Sequence, residues 1–328
     1  MIATASLLEV KELSVDYVTD KGAVRAVDRV SLRLAPGEFL GIVGESGCGK
    51  STLLYAIARL LGPPAEIASG SIRFRGDDMV TMGDEELRHI RWQNYSVVMQ
   101  SAMNALNPVM TIGAQLSDAI LAHQRLPQRD VRARSEQVMR LVGIDPVHLK
   151  SFPHQLSGGM RQRSMIAMAL VFTPQLVIMD EPTSALDVVA QRSLMLQIKE
   201  LQKKIGFAAI FVTHDMSLVS HFSDRLAVMY AGQVMEIGPT RDVFGRPRHP
   251  YSSGLLGSFP SIRGERQPLQ GIPGSPPDLA NPPAGCRFHP RCPKVMAQCK
   301  TIEPPFYTRD GVLVRCHLFA EGMDADGE

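Results

Sequence analysis

The chain has 328 residues, 45% of them hydrophobic, with 35 Lys and Arg against 33 Asp and Glu and a net charge of +2. That length suits one large core plus an appended module, and the even charge balance without a dense Lys/Arg run argues against nucleic acid or an acidic lipid surface as partner. The longest wholly apolar stretch, Met165 to Phe172, is eight residues against the about 20 that span a bilayer, and the start lacks the basic and apolar regions of a signal peptide, so a cytoplasmic chain without a pore is expected.

In chain order, Leu7 to Val15 and Val30 to Leu34 read as strands around a turn at Asp20, Lys21 and Gly22. An apolar strand-like run, Phe39 to Val43, leads into Gly44, Glu45, Ser46, Gly47, Cys48, Gly49, Lys50, Ser51 and Thr52, and a helix-like run follows from Ser51 to Leu61. This is the G-x-x-x-x-G-K-S/T pattern in the strand–loop–helix context it requires. The glycines let successive backbone N–H groups point at phosphate oxygens, and the helix start adds partial positive charge. Lys50 is suited to reach the β- and γ-phosphates of a nucleotide, and Ser51 to place its hydroxyl on Mg²⁺. Cys48 fills a small-residue position.

The stretch from about 101 to 158 reads as helical, with apolar residues at three- and four-residue spacing in Ala114 to His123 and Val131 to Gly143. Ser157, Gly158 and Gly159 stand before a helix-like run, Arg161 to Phe172, and make a second anion-binding helix terminus; a plain Ser-Gly-Gly cap is the alternative. From 161 to 222 strands alternate with helices, which implies a largely parallel sheet. Asp180 ends the strand-like Leu176 to Met179, where a carboxylate can hold Mg²⁺ through its water shell. Glu181 is placed to polarise an attacking water, with an acidic helix cap as the blander reading. His214 closes the strand-like Ala209 to Thr213 and is either a core histidine or a contact for the γ-phosphate that keeps the water in line. Arg225 to Tyr230 and Gln233 to Ile237 predict a hairpin across Ala231 and Gly232.

Together these residues resemble the ATP-binding subunits of ABC transporters over roughly residues 6–245. Leu156 to Gln162 resembles the family signature, Gln100 the Q-loop glutamine, Ser184 to Asp187 the D-loop, and Tyr17 the aromatic that stacks on adenine. The resemblance implies an α/β fold: a RecA-like P-loop core with an N-terminal antiparallel β subdomain and an inserted helical subdomain at about 101–160. It implies a head-to-tail dimer in which Ser157, Gly158, Gly159 and Gln162 of one subunit face the ATP on the phosphate loop of another, with Asp187 near that nucleotide. It gives Mg²⁺ the ligands Ser51, Gln100 and Asp180, and gives Gln100, Glu181 and His214 the catalytic roles. The second ATPase is identical or paralogous.

From about 246 the composition changes, and seven prolines fall between Pro260 and Pro283. Arg246 to Leu256, and Gln100 to Pro108 earlier, resemble the oligopeptide, dipeptide and nickel importer branch, with 246–328 as its C-terminal extension. That resemblance implies two membrane permeases, an extracytoplasmic solute-binding protein, and a place at the cytoplasmic membrane face. A soluble ABC ATPase acting on protein or nucleic acid is the rival. The cargo stays open among peptides, nickel chelates, glutathione, opines and oligosaccharides.

Four of the five cysteines, Cys286, Cys292, Cys299 and Cys316, lie in the last 43 residues at gaps of five, six and sixteen. A disulfide framework does not suit a reducing compartment, and no tight pair of the zinc-knuckle kind is present. The loose spacing suits a four-thiolate cluster, and Gly285 to Cys292 resembles the 4Fe–4S module of peptide-importer ATPases. Zinc and metal-free packing are the alternatives.

Overall fold

A computed structural model describes residues 6–20, 22–100, 105–184, 186–258 and 271–320. In chain order its elements are β1 (Leu8–Thr19), β2 (Gly22–Leu34), β3 (Phe39–Val43), α1 (Lys50–Ile57), β4 (Ala65–Phe74), β5 (Asp77–Asp78), α2 (Asp84–Ile90), β6 (Tyr95–Val98), α3 (Ile112–Leu121) and α4 (Gln128–Leu141). There follow α5 (Gly158–Leu170), β7 (Leu176–Asp180), α6 (Val188–Ile205), β8 (Ala208–Val212), α7 (Met216–Phe222), β9 (Arg225–Tyr230), β10 (Gln233–Pro239), α8 (Thr240–Gly245), α9 (Pro250–Gly257), β11 (Tyr307–Arg309) and β12 (Val312–Val314). The contacts divide the chain into two units.

One unit is built from the described residues of Leu34–Phe39 and Thr81–Thr213, with Ser6 and Leu7. Its strands run in the order β8-β7-β6 and pair in parallel. β7 and β8 are buried at every residue, as expected of parallel strands covered on both faces. The helices α3, α4 and α5 pack against one another. The apolar spacing that predicted α3 and α4 is what they bury: Ile112, Leu116 and Ile120 on one, Val131, Val138 and Met139 on the other.

The second unit comprises Leu8–Arg33, Leu40–Val80 and His214–Glu328. It contains a four-stranded sheet of order β2-β1-β4-β5, with β1 and β4 antiparallel. It also contains the strand run β11-β12-β10-β9-β3, in which β3 and β9 are parallel and the remaining pairs antiparallel. The expected hairpin is β9–β10, turned by Ala231 and Gly232 at φ 47° and 82°. Such a pair of left-handed residues matches the twist of the flanking strands. A second hairpin, β11–β12, turns at Asp310 and Gly311 and adds itself to the edge of β10. The segment expected as an appended module thus shares one unit with the phosphate loop.

Candidate nucleotide-binding site

The phosphate loop leaves β3 and enters α1, whose N-cap is Gly49 at φ 100°. A side chain at Gly49 would put its Cβ 2.2 Å from the Ala26 carbonyl, and one at Gly44 would meet the Met229 carbonyl at the same distance. Both positions also have positive φ. These glycines are therefore required by backbone packing behind the loop as well as by conformation. Lys50 is buried, and its ammonium donates to the carbonyls of Gly44 and Glu45, both at 2.8 Å. Cys48 is buried with Sγ 3.6 Å from Lys50 Nζ, and desolvation pushes its thiol above the ordinary value. Ser46 and Gly47 are exposed at the loop tip, and Ser51 and Thr52 are half-buried. Tyr17, on β1, shares a hydrogen bond of 3.2 Å between its hydroxyl and that of Thr52. An aromatic 35 residues earlier in the chain is thereby held beside the loop's helix.

Glu45 makes contacts that the motif does not foretell. Its backbone N–H donates to Tyr251 Oη at 2.9 Å, and its carboxylate pairs with Arg291 at 2.7 and 3.0 Å. Both partners lie in the extension. Sequence reasoning missed them because each contact spans more than 200 residues.

In the other unit, Asp180 is fully buried at the end of β7. Glu181 follows at φ 46°, a left-handed conformation that costs a non-glycine residue about 1 kcal/mol or more. Its N–H donates to the Val212 carbonyl at 2.9 Å. Gln100, exposed beyond β6, donates from Nε2 to Glu181 Oε2 at 3.0 Å, so the two expected catalytic residues of this unit touch. Ser157 is the exposed N-cap of α5 and accepts from the Met160 N–H at 3.3 Å. Gly158 and Gly159 form the first turn of that helix. Gln162 is buried, and its amide donates to the Pro182 carbonyl, tying the signature helix to the segment after Glu181. Asp187 caps α6 by accepting from Ala190 N–H at 2.9 Å, beside the exposed Val188 and Val189. Ala185 of the D-loop and residues 101–104 after Gln100 lie outside the described residues. His214, in the unit of the phosphate loop, is exposed just past β8.

The cysteines form a neighbourhood without a closed ligand set. Cys286, Cys299 and Cys316 are buried and Cys292 is half-buried. Desolvation pushes the thiols of Cys286 and Cys316 up to about 11 and about 12, and Cys292 upward as well. Every pair among the four lies within electrostatic reach. Among the described residues, however, no group of three or more His, Cys, Asp or Glu side chains is assembled closely enough to hold a metal ion.

Two family models match the chain: the ABC transporter model over residues 27–184, and the oligopeptide/dipeptide transporter C-terminal region over 235–299. The chain is 45% identical over 316 residues to the dipeptide transport ATP-binding protein DppD of Bacillus subtilis, covering 95% of this chain and 94% of that one. It is 43% identical over 312 residues to the oligopeptide transport ATP-binding protein OppD of the same organism, covering 94% and 87%. Among solved structures it is similar to the dimeric structure of MJ0796, a bacterial ABC transporter cassette, with a TM-score of 0.64 and 28% identity, covering 71% of this chain and 99% of that one. A post-hydrolysis state of the same cassette bound to ADP and Pi gives a TM-score of 0.63, again with 28% identity and coverage of 71% and 99%. The chain belongs to the ABC transporter ATP-binding family, in the branch that carries the oligopeptide/dipeptide transporter C-terminal region. It is an ABC ATPase with the RecA-like P-loop fold of that family.

Proposed function

We propose that this chain is the ATP-hydrolysing subunit of an importer for peptides or a closely related solute. The observation that carries this reading is the oligopeptide/dipeptide C-terminal region, matched over 235–299 and placed in one unit with the phosphate loop. Lys50 and the loop amides hold the β- and γ-phosphates, and Tyr17 stacks on the adenine. Mg²⁺, when bound, neutralises phosphate charge, and the Ser51 hydroxyl, Asp180 and Gln100 would hold it. Glu181 takes the proton of the attacking water, Gln100 orients Glu181, and His214 keeps the water in line. The exposed helix start at Ser157, Gly158 and Gly159 serves the nucleotide of a second ATPase, packed head to tail, and Asp187 lies on that same face.

No helix among the described residues is long and apolar enough to cross a membrane. The chain works against two permeases at the cytoplasmic membrane face, with solute delivered by an extracytoplasmic binding protein; the importer-type C-terminal region supports this. The four cysteines hold a 4Fe–4S cluster, with zinc as the competing occupant. The gathering of the four thiols in one small module, with Cys286, Cys299 and Cys316 buried and Cys292 half-buried, supports this.

The test is uptake of a labelled dipeptide by cells lacking this chain. Uptake should return with the wild type and stay at background with Lys50→Ala. Full uptake without the chain, or full rescue by Lys50→Ala, contradicts the proposal.

A further inference from the structure

Three residues of the segment Cys286 to Cys292, namely Arg287, Phe288 and Arg291, anchor it to its unit. Arg287 is buried and donates to Asp28 Oδ2 at 2.7 Å and to the Ala231 carbonyl. Phe288 meets the rings of Tyr230 and Tyr251 at 5.3 and 5.4 Å. Arg291 then clasps Glu45, the second residue of the phosphate loop, with Nη1 on Oε2 at 2.7 Å and Nη2 on Oε1 at 3.0 Å.

The clasp is built rather than incidental. The Arg291 side chain is only 6% exposed, and each guanidinium nitrogen is bonded. Nε donates to the Pro273 carbonyl at 2.8 Å, and the remaining N–H groups reach Tyr230 Oη and the carbonyls of Ile272 and Gly274 at 3.3–3.4 Å. A guanidinium held in this way is not free to follow a moving carboxylate. On the loop side, Glu45 is fixed through the peptide groups on both sides of its Cα. Its N–H goes to Tyr251, and its carbonyl accepts from Lys50 Nζ and from the Cys48 N–H at 3.3 Å. The position of Glu45 therefore sets the loop that must present Ser46 and Gly47 to a phosphate, and the resting place of the lysine. Fork-to-fork pairs of this kind impose geometry that a point charge does not. Arg291 is followed directly by Cys292, the one cysteine of the four that is not buried.

We propose that Arg291 is a positioning residue for nucleotide binding, clamping the phosphate loop through Glu45, and that ATP affinity thereby depends on the integrity of the cysteine-bearing module. The inference rests on the reading that the loop binds ATP. It differs from the simpler view in which the phosphate loop and the extension are independent.

The experiment uses the full-length chain. It measures the ATP dissociation constant, and kcat and KM for ATP hydrolysis, for the wild type, Arg291→Ala, Arg291→Lys, Glu45→Gln, the double variant Arg291→Ala/Glu45→Gln, and Cys292→Ser. Arg291→Ala and Glu45→Gln should each raise Kd and KM about tenfold and leave kcat within about twofold, as expected for lost loop geometry rather than lost chemistry. The double variant should be no worse than either single one, because one interaction is removed only once. Arg291→Lys should recover part of the affinity, since the charge returns without the fork. Cys292→Ser should weaken ATP binding in the same direction. Affinities within twofold of wild type for both Arg291→Ala and Glu45→Gln, or effects that multiply in the double variant, would overturn the clamp. Unchanged affinity in Cys292→Ser would overturn the dependence on the module. If Arg291→Ala does not fold, Glu45→Gln and Arg291→Lys decide the matter. A folded wild type that binds no ATP would remove the functional reading itself, and the inference with it.

Discussion

At the scale of single residues, the ion pair of Asp28 with Arg287 shows how polar groups hold the extension in place. Burial alone would push the Asp28 carboxyl up. Arg287, the Gln233 amide at 2.9 Å and Arg29 outweigh that and hold it below its ordinary value. A carboxylate whose folded pKa is depressed contributes stability that is fully present above its unfolded pKa of about 3.9, and that is lost as pH falls through the folded value. Asp28→Asn also leaves the Arg287 guanidinium buried without its counter-charge, which costs about 3–5 kcal/mol. Urea unfolding between pH 3 and 7 should show the variant destabilised at neutral pH, with the gap to wild type narrowing toward pH 3. A constant gap across that range, or none at pH 7, contradicts this. The short-range residues of the site were legible in the sequence: Gly44, Gly49, Lys50 and Ser51 obey spacings set by one turn. Arg287, Arg291 and Tyr251 were not, because their partners lie between 206 and 259 residues away and leave no periodic trace. The bond from the Gln162 amide to the Pro182 carbonyl was likewise not legible, because the signature pattern says nothing of packing 20 residues away.

At the scale of elements, legibility followed length. The parallel strands β7 and β8 and the helices α3 and α4 carry enough residues for burial to write a pattern. The hairpin β11–β12 has three residues per strand, too few for alternation, and its one signal was the Asp310–Gly311 turn. That hairpin and the segments carrying Cys286, Cys292, Cys299 and Cys316 make up the module whose occupancy is the element-scale prediction. Full-length protein purified without oxygen should contain about four iron and four sulfide per chain. Metal and acid-labile sulfide analysis decides it. Stoichiometric zinc, or neither metal with all thiols titratable, contradicts the cluster.

At the scale of the whole chain, the two units divide the chemistry: one carries the phosphate loop and Tyr17, the other Gln100, Asp180, Glu181 and the signature helix. Residues 214–328, which include the importer-type extension, fall with the phosphate loop. A resemblance read along the sequence suggested a core followed by an appendage. The extension also packs onto the loop, through Arg291 on the Glu45 carboxylate and Tyr251 on its N–H. The central claim is that this assembly hydrolyses ATP with Glu181 activating the water. The most direct measurement is steady-state ATP hydrolysis by the wild type and Glu181→Gln at saturating MgATP, with ATP binding measured on the same preparations. The account predicts unchanged ATP affinity and a turnover reduced by roughly 10²–10⁴ in the variant; turnover within threefold of the wild type would contradict it.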